Sequence, residues 1–386
     1  MIDITERAAS IEGDVIAWRR RFHSNPELSR RETATGEAVR AELLKRGIIS
    51  ERIRGSESFF ALLKGAKPGP AKILRADMDA LPITESGERE YKSRRDGVMH
   101  ACGHDAHTAM LMGAAAVLSE CRDELRGTAV FCFQSAEEVN EGAAELINVL
   151  KERDLDIALA AGLHIWSQIP AGEIKILEGL AMAGLYAFRI TLTGSGGHGS
   201  RPDRSIDPIK PLCELALKLS ALPASLISPL ETAVVHICHI EGGTAPNVFP
   251  DSAYLEGGIR FYRPEHREVL LDAIHKAARA LSDQWGLKVK IEDLAALHPV
   301  NNDKGAVSLA RDAAARVPGL ELSASSAPLL ASDNMSLFLE KYPGVYAFLG
   351  CGNADKGITA EHHNSWFDID ESVMRLGVEY LCRLAI

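Results

Sequence analysis

Three apolar stretches of this chain stop on side chains that bind protons or metals: AKILRADMD (71–79), TAVFCFQSAEE (128–138) and ALAAGLHIW (158–166). Short apolar runs of this kind read as buried strands. Stretches with helical character, 5–23, 32–47 and 108–121, surround and separate them, and Asn25-Pro26 breaks the first two helices apart. Strands alternating with helices constrain the chain to an α/β layered domain, and sites in open α/β sheets form outside the carboxyl ends of the strands. FFALLKG (59–65) and GVYAFLG (344–350) add two further strands.

The middle of the chain has another rhythm. AFRITLTGSG (187–196), ETAVVHICHIEGG (231–243), DSAYLEGGIRFY (251–262) and LKVKIEDLA (287–295) read as strands, with helices at 207–222 and 264–286. That order is βαββαβ, a ferredoxin-like α+β unit able to stand as its own small domain. The expected organisation is a catalytic domain of residues 1–182 and 294–386, interrupted by a lid of residues 183–293.

Bulk properties narrow the function classes. A net charge of −10 over 386 residues lacks the basic footprint that nucleic acid requires. No run approaches the roughly 20 apolar residues of a membrane span, and the charged, amphipathic beginning is not a signal peptide. Seven cysteines, odd in number and without a framework of spacings, suit free thiols in a reducing compartment. A cytoplasmic protein without nucleic-acid or membrane partners is expected.

The chemistry concentrates in HACGHDAHTAM (100–110), where Cys102, His104, Asp105 and His107 fall within six positions before a helix. Thiolate, imidazole and carboxylate are the usual protein ligands of zinc and similar ions. Glu137 and Glu138 end the strand VFCFQSA, and two adjacent carboxylates repel each other unless a cation intervenes. One can then hold the ion while the other takes a proton from water. His164 follows the apolar run ALAAGL, and His362 and His363 stand together near the C-terminus. In the inserted domain, His198 projects from the glycine-rich turn GSGGHGS, while Asn247 and Arg260 offer an amide and a planar cation suited to a substrate carboxylate.

These motifs resemble those of the aminoacylase/carboxypeptidase-type di-metal metallopeptidases, within them the amidohydrolase group typified by hippurate hydrolase, N-acyl-L-amino acid amidohydrolase and indoleacetyl-amino acid hydrolase. RRRFHSNPELSRRE (19–32), RADMDALPI (75–83), HACGHDAHTAM, FQSAEE, GLHIW, GSGGHGSRPD, GGTAPNVFPD, GIRFY and HHNSWFDIDE carry the resemblance nearly end to end. It implies a mixed-sheet, phosphorylase/hydrolase-like catalytic domain with an inserted lid. It also implies two divalent ions (zinc, manganese, cobalt or nickel) per subunit, held by Cys102, His104, Glu138, His164 and His363. By the same resemblance Glu137 is the general base, Asp79 orients a ligand histidine, and His198 reaches the active site of a partner subunit in a homodimer or dimer-based tetramer. The implied reaction is hydrolysis of the amide bond of an N-acyl amino acid (N-acetyl, N-benzoyl or indoleacetyl), with Asn247 and Arg260 gripping its carboxylate. Two alternatives stand beside it: a metal-dependent deaminase or deiminase on the same scaffold, and an inactive metal-binding protein. The departures leave every implied ligand in place: Ser135 for proline changes only the stiffness of a loop, while Tyr186 for aspartate, Asp203 for histidine and Asp333-Asn334-Met335 for Glu-Asp-Phe bear on the substrate.

Overall fold

The computed structural model describes residues 3–386, which form two compact units.

The first unit comprises the described residues up to Ala181 together with 301–327 and 333–386. Its eight-stranded sheet runs in the order Ser50–Arg52, Phe59–Lys64, Arg126–Gln134, Lys67–Asp77, Ile157–Pro170, Gly344–Gly352, Glu173–Lys175 and Glu321–Leu322. The four central strands, from Arg126–Gln134 to Gly344–Gly352, are parallel, and antiparallel neighbours flank them on either side. Parallel strands covered on both faces read as continuous apolar runs. Accordingly Gly344–Gly352 is buried at every position but the last. The sheet is mixed, as the resemblance implies, and its chemistry lies along the carboxyl ends of the parallel strands.

One helix, His104–Glu120, occupies the centre of this unit and is buried at every position from His104 to Leu118. A helix apolar all round belongs inside a core. The helices Glu12–Ser24 and Met374–Ala385 pack against it. Their approach needs Gly113: a Cβ there would lie 2.7 Å from Val378 Cγ2 and 2.8 Å from Val15 Cγ2. The sequence places HACGHDAHTAM before a helix starting near Thr108, whereas the helix begins at His104. The apolar periodicity that marks the helix starts only at Thr108, while its first turn is built of His104, Asp105 and His107, whose polarity disguises it.

The second unit comprises 182–300 and 328–332. Its sheet order is Ala233–Gly242, Ser252–Phe261, Gly184–Thr193, Lys288–Leu297, antiparallel throughout. With the helices Ile209–Leu226 and Pro264–Trp285 the chain order is βαββαβ, and the spatial order is second, third, first, fourth. That is the ferredoxin-like arrangement. Phe188, Ile190, Leu192, Leu215, Leu255 and Ile274 fill its core. The last strand continues to Leu297, paired with Leu185. No helix among the described residues is long and apolar enough to cross a membrane.

Candidate metal centre

Backbone conformations that few residues adopt aim the candidate ligands. Gly103 precedes the central helix at φ 86°, and a Cβ there would sit 2.2 Å from Ile165 Cδ1. Only glycine satisfies both the left-handed backbone and the close approach, and the turn it makes sets Cys102 and His104 on either side. Ala136, at φ 59° and ψ 35°, turns the chain out of the strand Arg126–Gln134 into a 3₁₀ turn that carries Glu137 and Glu138. His363 is also left-handed, at φ 63°, and its N–H donates to Ala101 O at 2.8 Å.

The structure brings Cys102, His104, Glu138, His164 and His363 together. Cys102 Sγ lies 3.7 Å from His164 Nε2, His104 Nε2 lies 3.8 Å from Glu138 Oε1, and His363 Nε2 lies 3.5 Å from the same oxygen. Two overlapping clusters, Cys102/His104/His164 and Cys102/Glu138/His363, each have ligand atoms within 4.8 Å of one another. His104 Nε2 and Glu138 Oε1 are buried and have no hydrogen-bond partner. A buried polar atom without a partner is costly. Metal–ligand bonds of about 2.0–2.3 Å place two donors on one ion roughly 3–4 Å apart, which is the spacing observed. The donor set therefore fits divalent cations.

Two neighbouring histidines of the motifs are already satisfied. His107 Nδ1 meets Asp77 Oδ1 at 2.6 Å, and its Nε2 accepts from Ile165 N–H at 2.9 Å. A ring nitrogen that accepts from an amide has no lone pair for a metal, so His107 braces the strand bearing His164. His362 donates from Nε2 to Ile165 O at 3.1 Å and stacks on Trp166 with 4.7 Å between centroids. Of the adjacent pair, only His363 faces Glu138.

The electrostatics suit this arrangement. Burial, with His107 and His362 beside it, holds His164 well below the ordinary imidazole range, so it is neutral and able to coordinate. Burial and the Glu138 carboxylate push the Cys102 thiol well up, although His104 draws it down, and a bound cation would reverse that balance. His104 Nδ1 lies 3.1 Å from Asp79 Oδ1, and Asp79 Oδ2 accepts from Glu138 N–H at 3.0 Å. One carboxylate thus braces two ligands. Burial, then Asp333 and Glu138, raise the Glu137 acid well above the usual carboxylate range, while His104 and Arg75 oppose them.

Beneath Glu137 lies a buried polar network of which only Asp333 and Asn334 stood out in the sequence, and those as departures. Arg75 donates to Gln134 Oε1 at 2.8 Å, Asp77 Oδ2 at 2.7 Å and Asn334 Oδ1 at 2.9 Å. Asp333 accepts from Tyr346 O–H at 2.6 Å, and Asn334 N–H reaches Glu137 Oε1 at 3.4 Å. The one available signal was an arginine inside the apolar run AKILRAD, since a buried arginine demands partners. Ser135 also has a reason: its N–H, which proline would lack, donates to Ser58 Oγ at 2.9 Å. A second buried network joins Arg19 to Asp105 at 2.9 Å, Asp368 at 3.1 Å and Glu371 at 3.1 Å. It ties the N-terminal motif to the HHNSWFDIDE segment.

In the second unit, His198 is exposed on a short antiparallel bridge, opposite Val248. Its Nδ1 accepts from Ser200 N–H at 3.1 Å, so the neutral ring carries its proton on Nε2. Asn247 adjoins it, its carbonyl accepting from Gly199 N–H at 2.7 Å. That bridge continues past the end of the sheet where Thr193 pairs with Ser252, whereas Arg260 pairs with Leu185 near the other end. Eight residue steps along the strand, on the order of 25 Å, separate Ser252 from Arg260. Within one chain Asn247 goes with His198 and not with Arg260, which donates to Ser332 Oγ. Tyr186 O–H donates to Asp293, and Asp203 is paired with Arg201 at the surface.

Comparison with known proteins locates this architecture. Residues 73–386 match the family described as Peptidase family M20/M25/M40. The chain is 35% identical over 380 residues to thermostable carboxypeptidase 2 of Saccharolobus solfataricus, covering 97% of this chain and 95% of that one. It is 34% identical over 385 residues to the N-acetylcysteine deacetylase of Bacillus subtilis, covering 96% of each. A crystal structure of a dinuclear metal-binding M20 peptidase from Bacillus subtilis superposes with a TM-score of 0.79 at 31% identity, covering 98% of both chains.

Proposed function

The chain belongs to peptidase family M20/M25/M40, and from that premise we propose that it hydrolyses the amide bond of N-acyl amino acids, releasing a carboxylic acid and a free amino acid. One observation carries the reading. Five ligand side chains converge, two of them (His104 and Glu138) offering buried, unpartnered donor atoms, with a second carboxylate next to Glu138. Names among the relatives agree on the chemistry: a deacetylase of N-acetylcysteine and a carboxypeptidase both cut an amide whose nitrogen belongs to an amino acid with a free carboxylate.

In this reading Cys102, His104, Glu138, His164 and His363 hold two divalent ions, with Asp79 orienting His104. The Cys102 thiolate favours zinc, and the imidazole and oxygen ligands also suit manganese, cobalt or nickel. When bound, the ions supply Lewis acidity that polarises the scissile carbonyl and acidifies water. Glu137 takes the proton from the attacking water and returns it to the leaving nitrogen. Burial, Asp333 and Glu138 raise its pKa, which strengthens it as a proton acceptor, and cations bound beside it would favour the ionised form that serves as base. His198 donates from Nε2 to the oxygen of the tetrahedral intermediate. Lying on the lid unit, it is delivered by closure or by a partner subunit, in a homodimer or dimer-based tetramer. Asn247 accompanies His198, so where a partner subunit delivers His198, Asn247 and Arg260 grip one substrate carboxylate from different chains. Rejection of substrates without a carboxylate follows, since those groups would be left unpaired. The protein acts in the cytoplasm.

The test is a hydrolysis screen of N-acetyl, N-benzoyl and indoleacetyl amino acids after chelation and reloading with each metal. Free amino acid should appear stoichiometrically, and amides lacking the carboxylate should be inert. Ammonia released from aromatic amines or ureido compounds, with no amide cleavage, would overturn the reading in favour of a deaminase.

A further inference from the structure

The N-terminal motif RRRFHSNPELSRRE ends on Glu32, and the mechanism above does not use it. Glu32 is fully buried and precedes the helix Thr33–Lys45, yet its side chain does not cap that helix. Its carboxylate crosses instead to the strand end, where Oε1 accepts from Ala136 N–H at 2.7 Å. The other oxygen, Oε2, is buried without a partner. Burial and the neighbouring Asp79 charge push the acid up to about 7. Among the described residues no cationic side chain pairs with it, so this is an expensive way to satisfy one amide.

What the amide does explains the arrangement. Ala136 adopts a left-handed conformation disfavoured for any residue with a Cβ, and it is itself buried. The turn is closed by Glu141 N–H to Ala136 O at 2.9 Å and Asn140 N–H to Glu137 O at 2.7 Å. Glu137 and Glu138 are the next two residues, so their direction is set by the peptide that Glu32 grips.

We propose that Glu32 is a positioning residue: it holds Ala136 in the left-handed turn and thereby aims Glu137 and Glu138 at the reacting centre. This rests on the roles given to those two carboxylates above. The grip requires an acceptor at the full reach of a glutamate side chain, and glutamine supplies one at the same reach while aspartate falls short by one methylene.

The experiment compares Glu32→Gln and Glu32→Asp at saturating metal, with kcat, KM, metal content and hydrogen exchange of segment 135–142 as readouts. Glu32→Gln should keep kcat within about threefold of wild type and preserve protection of the segment. Glu32→Asp should lose about tenfold or more in kcat, the scale of a small misplacement of reacting groups. Its KM should change little, and protection of the segment should fall. A purely structural role would lower the melting temperature and leave kcat of the folded, metal-loaded fraction alone. Equal kcat in wild type and Glu32→Asp overturns the inference, as does a loss in Glu32→Gln matching that in Glu32→Asp. A control Glu137→Gln separates the two readings. If that variant is active, the assignment of the base is wrong. If it is dead while Glu32→Asp is fully active, only the role of Glu32 is wrong.

Discussion

Replacing Glu137 by glutamine tests the proposed chemistry most directly, because the structure isolates one consequence from the others. The side chains have nearly the same volume, and glutamine Oε1 can still accept the weak 3.4 Å bond from Asn334 N–H. Packing is therefore preserved, while one negative charge disappears beside Glu138 and Asp333. Because burial and those neighbours raise the folded-state pKa of Glu137, its ionised form works against folding. Its contribution is favourable below the unfolded-state pKa and is lost as pH rises through the folded one. Metal-free Glu137→Gln should accordingly be at least as stable as wild type at pH 7, and the two should converge towards pH 4. Catalysis behaves oppositely. A general base contributes about 10²–10⁴-fold, so the loss in kcat should be roughly 10³-fold, or about 4 kcal/mol of transition-state stabilisation. The assay is amino-acid release at saturating substrate, with elemental analysis of the same samples and thermal melts of their chelated counterparts. Metal content should match wild type. If Glu137→Gln retains activity within about tenfold while metal-loaded Glu138→Gln alone is dead, the roles of the two carboxylates are reversed and the reasoning fails.

Three further outcomes are expected. Gly103→Ala must hold a left-handed backbone, about 1–2 kcal/mol, and push against Ile165, about 1–3 kcal/mol; urea unfolding should show a loss of about 2–5 kcal/mol together with weaker metal retention, and an unchanged midpoint would refute the steric argument. Asp105, held well below the usual carboxylate range against burial by Arg19 and His23, stabilises the fold above its unfolded-state pKa and loses that effect as pH falls. Asp105→Asn should thus cost about 3 kcal/mol at pH 7, with the difference shrinking below about pH 4; a pH-independent difference would rule this out. His198→Ala should bind metal normally and lose about 10²–10³-fold in kcat. Mixing it with Glu137→Gln subunits should restore part of the activity, and a dead mixture after demonstrated subunit exchange would place His198 outside any shared site.

The layered architecture could be read from the chain alone because its signals are local. Runs such as TAVFCFQSAEE and GVYAFLG declare strands by composition, and the βαββαβ order of the middle segment requires no contact to be known. The candidate ligand types were equally visible, since thiols, imidazoles and carboxylates at strand ends are rare enough to stand out. Long-range neighbours decided the rest. His104 and His107 occupy one helical face of the same motif, yet His107 spends both ring nitrogens on Asp77 and Ile165, residues 30 and 58 positions away, while His104 Nε2 is left unpartnered. His362 and His363 are adjacent and chemically identical, and the backbone carbonyl of Ile165 occupies only the first. Asn247 and Arg260 looked like one clamp until strand register put them towards opposite ends of a sheet. Residue type and spacing announce which atoms could bind, but whether a lone pair is still free depends on groups that only the folded chain brings within hydrogen-bonding distance.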